Sequence, residues 1–434
     1  MPPHGGGRCM NKHDEFPLDE SIYPLGPRPS PTLPNCQPEF ENDEPRADYT
    51  LVAYEPAAEA QPIHATPYKW KDPAKIARRE WLYGHLLIRK FVTATVSPGG
   101  VGKSSLIAAE ALAAVSGKPL LDVVPVRRLT VWLWNLEDPQ EETERKIQAV
   151  ALHYGLTPSD ISDRLFVDSG RDQPLVMATA TRNGTTIARP VVDSLVAEII
   201  NRGVDILNID PFVSCHEASE NDNTAMDMIA KEWGRVADRG NCAVHLVHHT
   251  RKGEQEVNTE SARGGKALTD ACRVVRAVNR MSKEEAVRAG VENHRLYFRT
   301  VNDKANLAPP VDQSDWFRLE SVHLGNGPLN GPGDSIGVVT AWKWPDPLSG
   351  VTGADFDKAA AAIRAGKWRE NSQAKDWVGK AIAEALDLPI ETKAGKAKVA
   401  AMIKVWLAAG SLVKVEDIDE KRMTKMFVQV ADQP

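Results

Sequence analysis

Between residues 66 and 345 the chain alternates short runs that are apolar at nearly every position with longer stretches whose apolar residues recur at helical spacing. The run 129–136, Leu-Thr-Val-Trp-Leu-Trp-Asn-Leu, has no polar face, as expected of a strand covered on both sides. Further strands are predicted at 164–168, 204–210, 242–247, 272–279, 294–302, 316–322 and 336–343, with helical patterns in most gaps up to about residue 290. Asp138 reads as a helix N-cap, with Pro139 at the first helical position and Glu141 and Glu142 in the first turn. Such alternation predicts an α/β fold, a doubly wound, mostly parallel sheet flanked by helices. The last strands have no helices between them, so an antiparallel extension is expected at one edge.

A second pattern begins near Ala354, after the break Asp346-Pro347-Leu348-Ser349-Gly350. Within 393–409, Val399, Met402, Ile403, Trp406 and Leu407 follow i, i+3, i+4, i+7, i+8 spacing, one apolar helical stripe. Two short strands, 411–415 and 426–430, then flank a charged turn. Helices followed by a small hairpin suggest a winged helix-turn-helix. The first 65 residues hold 12 of the 30 prolines and few periodic apolar positions, a composition of a disordered leader. The expected organisation is therefore a leader (1–65), an α/β core (66–350) and a winged-helix-like domain (351–434).

Composition narrows the class of protein but does not decide it. A hydrophobic share of 42% and a charged share of 26% are ordinary for a globular chain. No apolar stretch is long enough for a membrane helix, and the N-terminus lacks a signal-peptide pattern, so a cytoplasmic protein without membrane contact is expected. Five scattered cysteines fit reduced thiols and show no zinc spacing. The net charge of −6 is uneven: residues 1–65 carry −7 and residues 354–434 carry +2. Nucleic-acid contact would thus need local basic patches.

The segment 93–106, Thr-Ala-Thr-Val-Ser-Pro-Gly-Gly-Val-Gly-Lys-Ser-Ser-Leu, carries the clearest chemistry. A β-branched run enters a glycine-rich turn, followed by Lys-Ser and an alanine-rich helix, the order of a phosphate-binding loop. Its backbone N–H groups can cradle phosphate oxygens, which marks Pro98, Gly99, Gly100, Val101, Gly102, Lys103, Ser104 and Ser105 as a nucleotide site. Lys103 can reach the β- and γ-phosphates of ATP, and Ser104 can hold Mg²⁺. The full pattern wants glycine at 97, where this chain has Ser97.

Other candidates stand at strand ends. Asp210 closes 204–210 and can hold Mg²⁺, directly or through water, although a strand-end Asp also caps turns. Glu137 closes the strand after the phosphate loop and can orient or deprotonate the attacking water; it is also well placed simply as a negative charge at a helix start. His248 and His249 end the run 242–249, where an imidazole can sense the γ-phosphate, with capping or packing as the alternative and no third ligand at useful spacing for a metal; His249 is preferred over His248. Arg251, Lys252, Arg263 and Lys266 suit DNA phosphate contact, but Glu254, Glu256 and Glu260 share the segment, which fits a solvated loop too. In the C-terminal region Lys393, Lys396, Lys398, Lys421, Arg422 and Lys425 would serve duplex binding, while winged helices also dock proteins.

The ordered set of the phosphate loop, Asn-Leu-Glu-Asp-Pro (135–139), Asp-Pro-Phe-Val-Ser (210–214), Glu220-Asn221-Asp222-Asn223 and His-His-Thr-Arg-Lys (248–252) resembles the RecA-like ATPases of the plasmid RepA hexameric helicase type. Ala262-Arg263-Gly264-Gly265, Lys304-Ala305-Asn306 and the segment 70–84 extend the resemblance over about 66–345. These proteins occur in phages, prophages and plasmids and are related to replicative helicases. The resemblance implies a RecA-like P-loop NTPase core and a homo-oligomer, a hexameric ring with ATP at subunit interfaces. It implies that Lys103 and Ser104 bind phosphate and Mg²⁺, Glu137 activates water, Asp210 is the second-strand acid and His249 the γ-phosphate sensor. In such rings a basic residue of the neighbouring subunit completes the site. Lys304 matches that position, with Arg273 and Arg299 as rivals and an ordinary surface lysine as the plain alternative.

The expected function is an ATP-hydrolysing, DNA-dependent ring motor, a RepA-like replicative DNA helicase acting on single-stranded DNA. Replication proteins are candidate partners through the C-terminal domain or the leader. Two alternatives stay open: a recombination-type ATPase that remodels DNA without unwinding it, and an ATP-switched DNA-binding regulator of replication or transcription.

Overall fold

A computed structural model describes residues 63–182, 184–250, 256–258, 266–308, 314–328, 331–419 and 422–431. Residues 63–72 are exposed and carry no regular structure, so the expected leader lies almost wholly outside the described residues. The chain opens with the small hairpin β1 (Trp81–Tyr83) and β2 (Leu87–Ile88), then β3 (Val92–Ser97) leads into α1 (Lys103–Ser116). Next come β4 (Val131–Asn135), α2 (Gln140–Tyr154), α3 (Pro158–Ile161) and β5 (Leu165–Ser169). A second hairpin, β6 (Ala178–Thr181) and β7 (Gly184–Ile187), precedes α4 (Arg189–Arg202) and β8 (Ile206–Asp210). After α5 (Asn223–Arg239) and β9 (Ala243–His249), α6 (Lys266–Ala271) leads to β10 (Val274–Arg280) and α7 (Lys283–Ala289). Three long strands close this region: β11 (Tyr297–Ala305), β12 (Asp315–His323) and β13 (Ser335–Trp342).

Nine of these strands form one sheet in the order β13-β12-β11-β10-β3-β9-β8-β4-β5. From β10 to β5 all neighbours run parallel, and β11, β12 and β13 extend the sheet antiparallel beyond β10. Parallel strands need crossovers, and the helices that supply them cover both faces. One apolar cluster lies on the side of α4 and α5, with Trp233, Phe212 and Ile199 buried; the other lies under α1 and α2. Every residue of β3 and β4 is buried, which accounts for the apolar run of β4 and for the small Thr93, Thr95 and Ser97 that alternate with apolar residues in β3.

Polar residues inside the sheet are paired with one another. His245 is 1% exposed, and its ring nitrogens lie 2.8 Å from Asn208 Oδ1 and 2.7 Å from Thr95 Oγ1. Arg276 Nε donates to the same threonine at 3.2 Å, and its guanidinium forms a buried ion pair with Glu110 of α1. Asn208 Oδ1 can only accept, so His245 Nδ1–H donates to it, and the unprotonated Nε2 accepts from the Thr95 hydroxyl. Asn208, which interrupts its strand's apolar pattern, is thereby satisfied. The chain of contacts spans β8, β9, β3 and β10 and ends on the helix that follows the phosphate loop.

The C-terminal region comprises α8 (Gly353–Arg364), β14 (Trp368–Arg369), α9 (Val378–Ala385), α10 (Lys393–Ala408), β15 (Leu412–Ile418) and β16 (Thr424–Val430). Its strands pair in the order β14-β16-β15. Thr392 caps α10 by accepting from the Gly395 N–H at 2.9 Å. Val399, Met402, Ile403 and Trp406 of the predicted stripe are buried in a separate apolar cluster with Ile363, Trp377 and Ile382. The opposite face of α10, with Ala397, Ala401 and Lys404, lines a cavity of about 880 Å³ against Arg288 and Gly290 beside α7.

Two local expectations need correction. Asp138 is not the cap of α2: Pro139 occupies that position with extended φ −64 and ψ 156, and the helix starts at Gln140. The reason is that Asn135 holds the N–H groups of Glu137 and Asp138, which keeps the chain extended one residue longer. The hairpin of β6 and β7 was not anticipated. Asn183-Gly184 between threonine-rich runs is the turn signal in the sequence that marks it.

Candidate active site

Parallel strands bring their carboxyl ends to one edge, where α/β sheets form crevices for ligands. β3, β9, β8 and β4 are consecutive neighbours, and they end in Ser97, His249, Asp210 and Asn135. The loop 98–102 follows β3 and turns into α1. Gly100 and Gly102 have φ of 71 and 108, in the left-handed region that favours glycine. At Gly102 a Cβ would also stand 3.2 Å from Leu319 Cδ1 and 3.3 Å from Phe298 Cε1. Ser97 has no such φ, so a serine fits where the common pattern has glycine; its Oγ donates to the Pro98 carbonyl at 2.9 Å. Among the described residues no side chain caps α1, which leaves its first N–H groups for an anion.

Lys103 is the first residue of α1 and only 5% exposed. Its Nζ lies 3.3 Å from His249 Nε2 and 3.9 Å from Asp210 Oδ1. Burial lowers its pKa, opposed by the charges of Asp210 and Glu137. Burial and then the Lys103 charge also lower His249, so its ring is neutral near pH 7 and accepts from the lysine. His248 points the other way into the core, 3% exposed, and burial drops its pKa to about 4. Ser104 Oγ donates to Asp210 Oδ2 at 2.8 Å. A hydroxyl and a carboxylate meeting beside a phosphate loop are hard oxygen donors suited to Mg²⁺.

Glu137 stands on the turn after β4, two residues past Asn135, which pairs with Asp210 across β4 and β8. Its carboxylate has one described hydrogen bond, from Ser214 Oγ at 3.4 Å. It acts on the charges of both Lys103 and His249. Asp138 does not: its carboxylate takes Lys146 Nζ at 3.1 Å and Asn135 Nδ2 at 3.3 Å. Arg280, which sequence reasoning missed, donates from Nη2 to the Gly100 carbonyl at 2.5 Å. It stands at the end of β10, beside β3, and only the strand pairing reveals that neighbourhood.

Lys304 is not brought to this chain's phosphate loop. It pairs with Val275, which faces Ala94 near the start of β3, and its Nζ donates to the carbonyls of Thr269 and Asp270 at 2.9 Å each. Arg299 binds Glu256 at 2.8 Å and Glu285 at 3.3 Å. Of the four candidate DNA contacts, Arg251, Lys252 and Arg263 lie outside the described residues. Lys266 starts α6, exposed, with Asp270 at 3.4 Å.

Residues 57–255 match the sequence profile of a family described as an AAA domain. The matched stretch contains the phosphate loop and the strands β3, β9, β8 and β4 that end at the site. The core is a mostly parallel α/β sheet flanked by helices, with a phosphate loop between β3 and α1. Similar solved structures include a RadB recombinase, with 15% identity over 54% of this chain and 88% of its own, and a TM-score of 0.36. A DnaB-like replicative helicase studied with primase shows 11% identity, coverage of 52% of this chain and 55% of that chain, and a TM-score of 0.38. Among the described residues no helix is long and apolar enough to cross a membrane.

Proposed function

We propose that this protein is an ATP-hydrolysing, DNA-dependent ring motor, a RepA-like replicative DNA helicase of a phage or plasmid. The observation that carries the ATPase reading is the convergence of Lys103, Ser104, Asp210, Glu137 and His249 at the carboxyl edge of one parallel sheet. The loop N–H groups and Lys103 bind and neutralise the β- and γ-phosphates. Ser104 and Asp210 would hold Mg²⁺, which would supply charge neutralisation at the phosphates. Glu137 takes a proton from a water whose oxygen bonds to the γ-phosphorus while the bond to ADP breaks. His249, neutral and in contact with Lys103, reads whether a γ-phosphate is present. Lys304 completes the site of a neighbouring subunit in a hexamer, and the segment 250–265 with Lys266 meets single-stranded DNA.

We read residues 351–434 as a winged helix-turn-helix, because a helix, a short strand, two helices and a hairpin with strand order β14-β16-β15 surround their own apolar cluster. Duplex contact would use Lys393, Lys396, Lys398 and the hairpin. A chain ending at Gly350 should then bind duplex DNA more weakly and with a flatter salt dependence. Equal affinity and equal slope would assign this region to protein docking.

The deciding experiment measures ATP turnover with and without single-stranded DNA, and strand separation on forked DNA. Stimulated turnover with strand separation supports the helicase. Stimulation without separation moves the protein to the recombination-type reading. Turnover indifferent to single strands, with duplex binding that follows ATP, makes it an ATP-switched regulator. Lys103→Ala should abolish turnover with the fold intact, and near-normal hydrolysis would remove the ATPase reading altogether.

A further inference from the structure

The turn that carries Glu137 is held at every backbone polar group for which a partner can be named. The Asn135 carbonyl accepts from Gly170 N at 2.7 Å, and Leu136 N donates to the Asp210 carbonyl at 2.8 Å. Asn135 Oδ1 accepts from Glu137 N at 2.9 Å and Asp138 N at 2.7 Å. The Glu137 carbonyl accepts from Arg171 Nε at 2.7 Å, and the Asp138 carbonyl from Ser169 Oγ at 2.7 Å. At Gly170 a Cβ would lie 2.7 Å from Leu136 Cα, so the segment 169–171 presses directly on the turn. By contrast, the Glu137 carboxylate has only the long Ser214 contact among the described residues. A fixed main chain with a sparsely bonded carboxylate is the arrangement a preorganised proton acceptor requires.

We propose that Asn135, Ser169 and Arg171 are positioning residues that set the place of the Glu137 carboxylate, with Arg171 as the outermost member. This rests on Glu137 being the base. Arg171 is exposed and stands two residues past the buried end of edge strand β5 at Ser169. Its described hydrogen bond goes to the Glu137 carbonyl and not to the phosphate loop, so losing it moves the base without disturbing ATP binding.

The test is steady-state and single-turnover hydrolysis by the full chain. Arg171→Ala should lower kcat about tenfold with KM for ATP changed less than about twofold, because a misplaced base costs rate and not binding. Arg171→Lys, which can still donate to the carbonyl, should recover most of that loss. In a Glu137→Gln background Arg171→Ala should cost nothing further, since both changes act through one group. Asn135→Ala should follow the same pattern, and Arg171, being exposed, keeps the test readable if that variant fails to fold. An unchanged kcat in Arg171→Ala, or an additive loss in the Glu137→Gln background, overturns the proposal. Normal turnover by Glu137→Gln overturns instead the reading of the base on which it depends.

Discussion

His248 and His249 are adjacent, yet burial gives them different properties. His249 faces Lys103, whereas His248 is enclosed beside Phe212, with ring centroids 6.2 Å apart, and its Nδ1 has no hydrogen-bond partner among the described residues. Burial, then the charges of His249 and Lys103, bring its pKa from 6.5 to about 4. A histidine with a depressed folded pKa stabilises the fold above its unfolded value. Between pH 6.5 and about 4 the unfolded chain binds a proton that the folded chain refuses, so stability falls with pH across that window. The full shift corresponds to roughly 3 kcal/mol. Urea unfolding at pH 7.5 and pH 5 should therefore show a smaller difference for His248→Gln than for the parent. An equal difference in both proteins would place the pH sensitivity elsewhere, for instance at the fully buried His245.

Among elements, the phosphate loop depends on strands far from it in sequence. Phe298 of β11 and Leu319 of β12 lie against Gly102, whose φ of 108 already disfavours any side chain. Gly102→Ala must strain the backbone and push two core residues, a cost on the order of 1–3 kcal/mol. Nucleotide titration and thermal unfolding should show weaker ATP binding and a lower Tm; normal values for both would mean that the antiparallel strands yield freely. The strands themselves were legible in the sequence because both faces of a buried sheet demand apolar residues, as in β4 and β8. The site's strand-end residues Glu137, Asp210 and His249 were legible for the same reason, since each follows such a run. The clamp around Glu137 was not, because Ser169 and Arg171 meet Asn135 only through the parallel pairing of β4 with β5. The cap of α2 was misjudged because Asp138 has the right chemistry, but its N–H is held by Asn135 Oδ1 and its carboxylate by Lys146 Nζ.

At the scale of the whole chain, the separation of Lys304 from the phosphate loop has a kinetic consequence. β10 and β3 run parallel, so Val275 and its partner Lys304 sit level with Ala94, three residues before the end of β3 at Ser97. At about 3.3 Å per residue that is about 10 Å along the strand, with β10 intervening. The amine also points to the carbonyls of 269 and 270, away from the loop. If Lys304 serves ATP hydrolysis as proposed above, it must then serve a neighbouring chain's loop, and that catalysis would be bimolecular in protein. Specific activity should climb with protein concentration and level off once assembly is complete, and a Lys304→Ala protein should lie on a low, concentration-independent line. Mixing Lys304→Ala with Lys103→Ala should raise activity above either parent, since hybrid interfaces pair an intact loop with an intact lysine. Turnover per chain that stays constant on dilution to the monomer would return Lys304 to the task visible within a single chain, closing the end of a short helix.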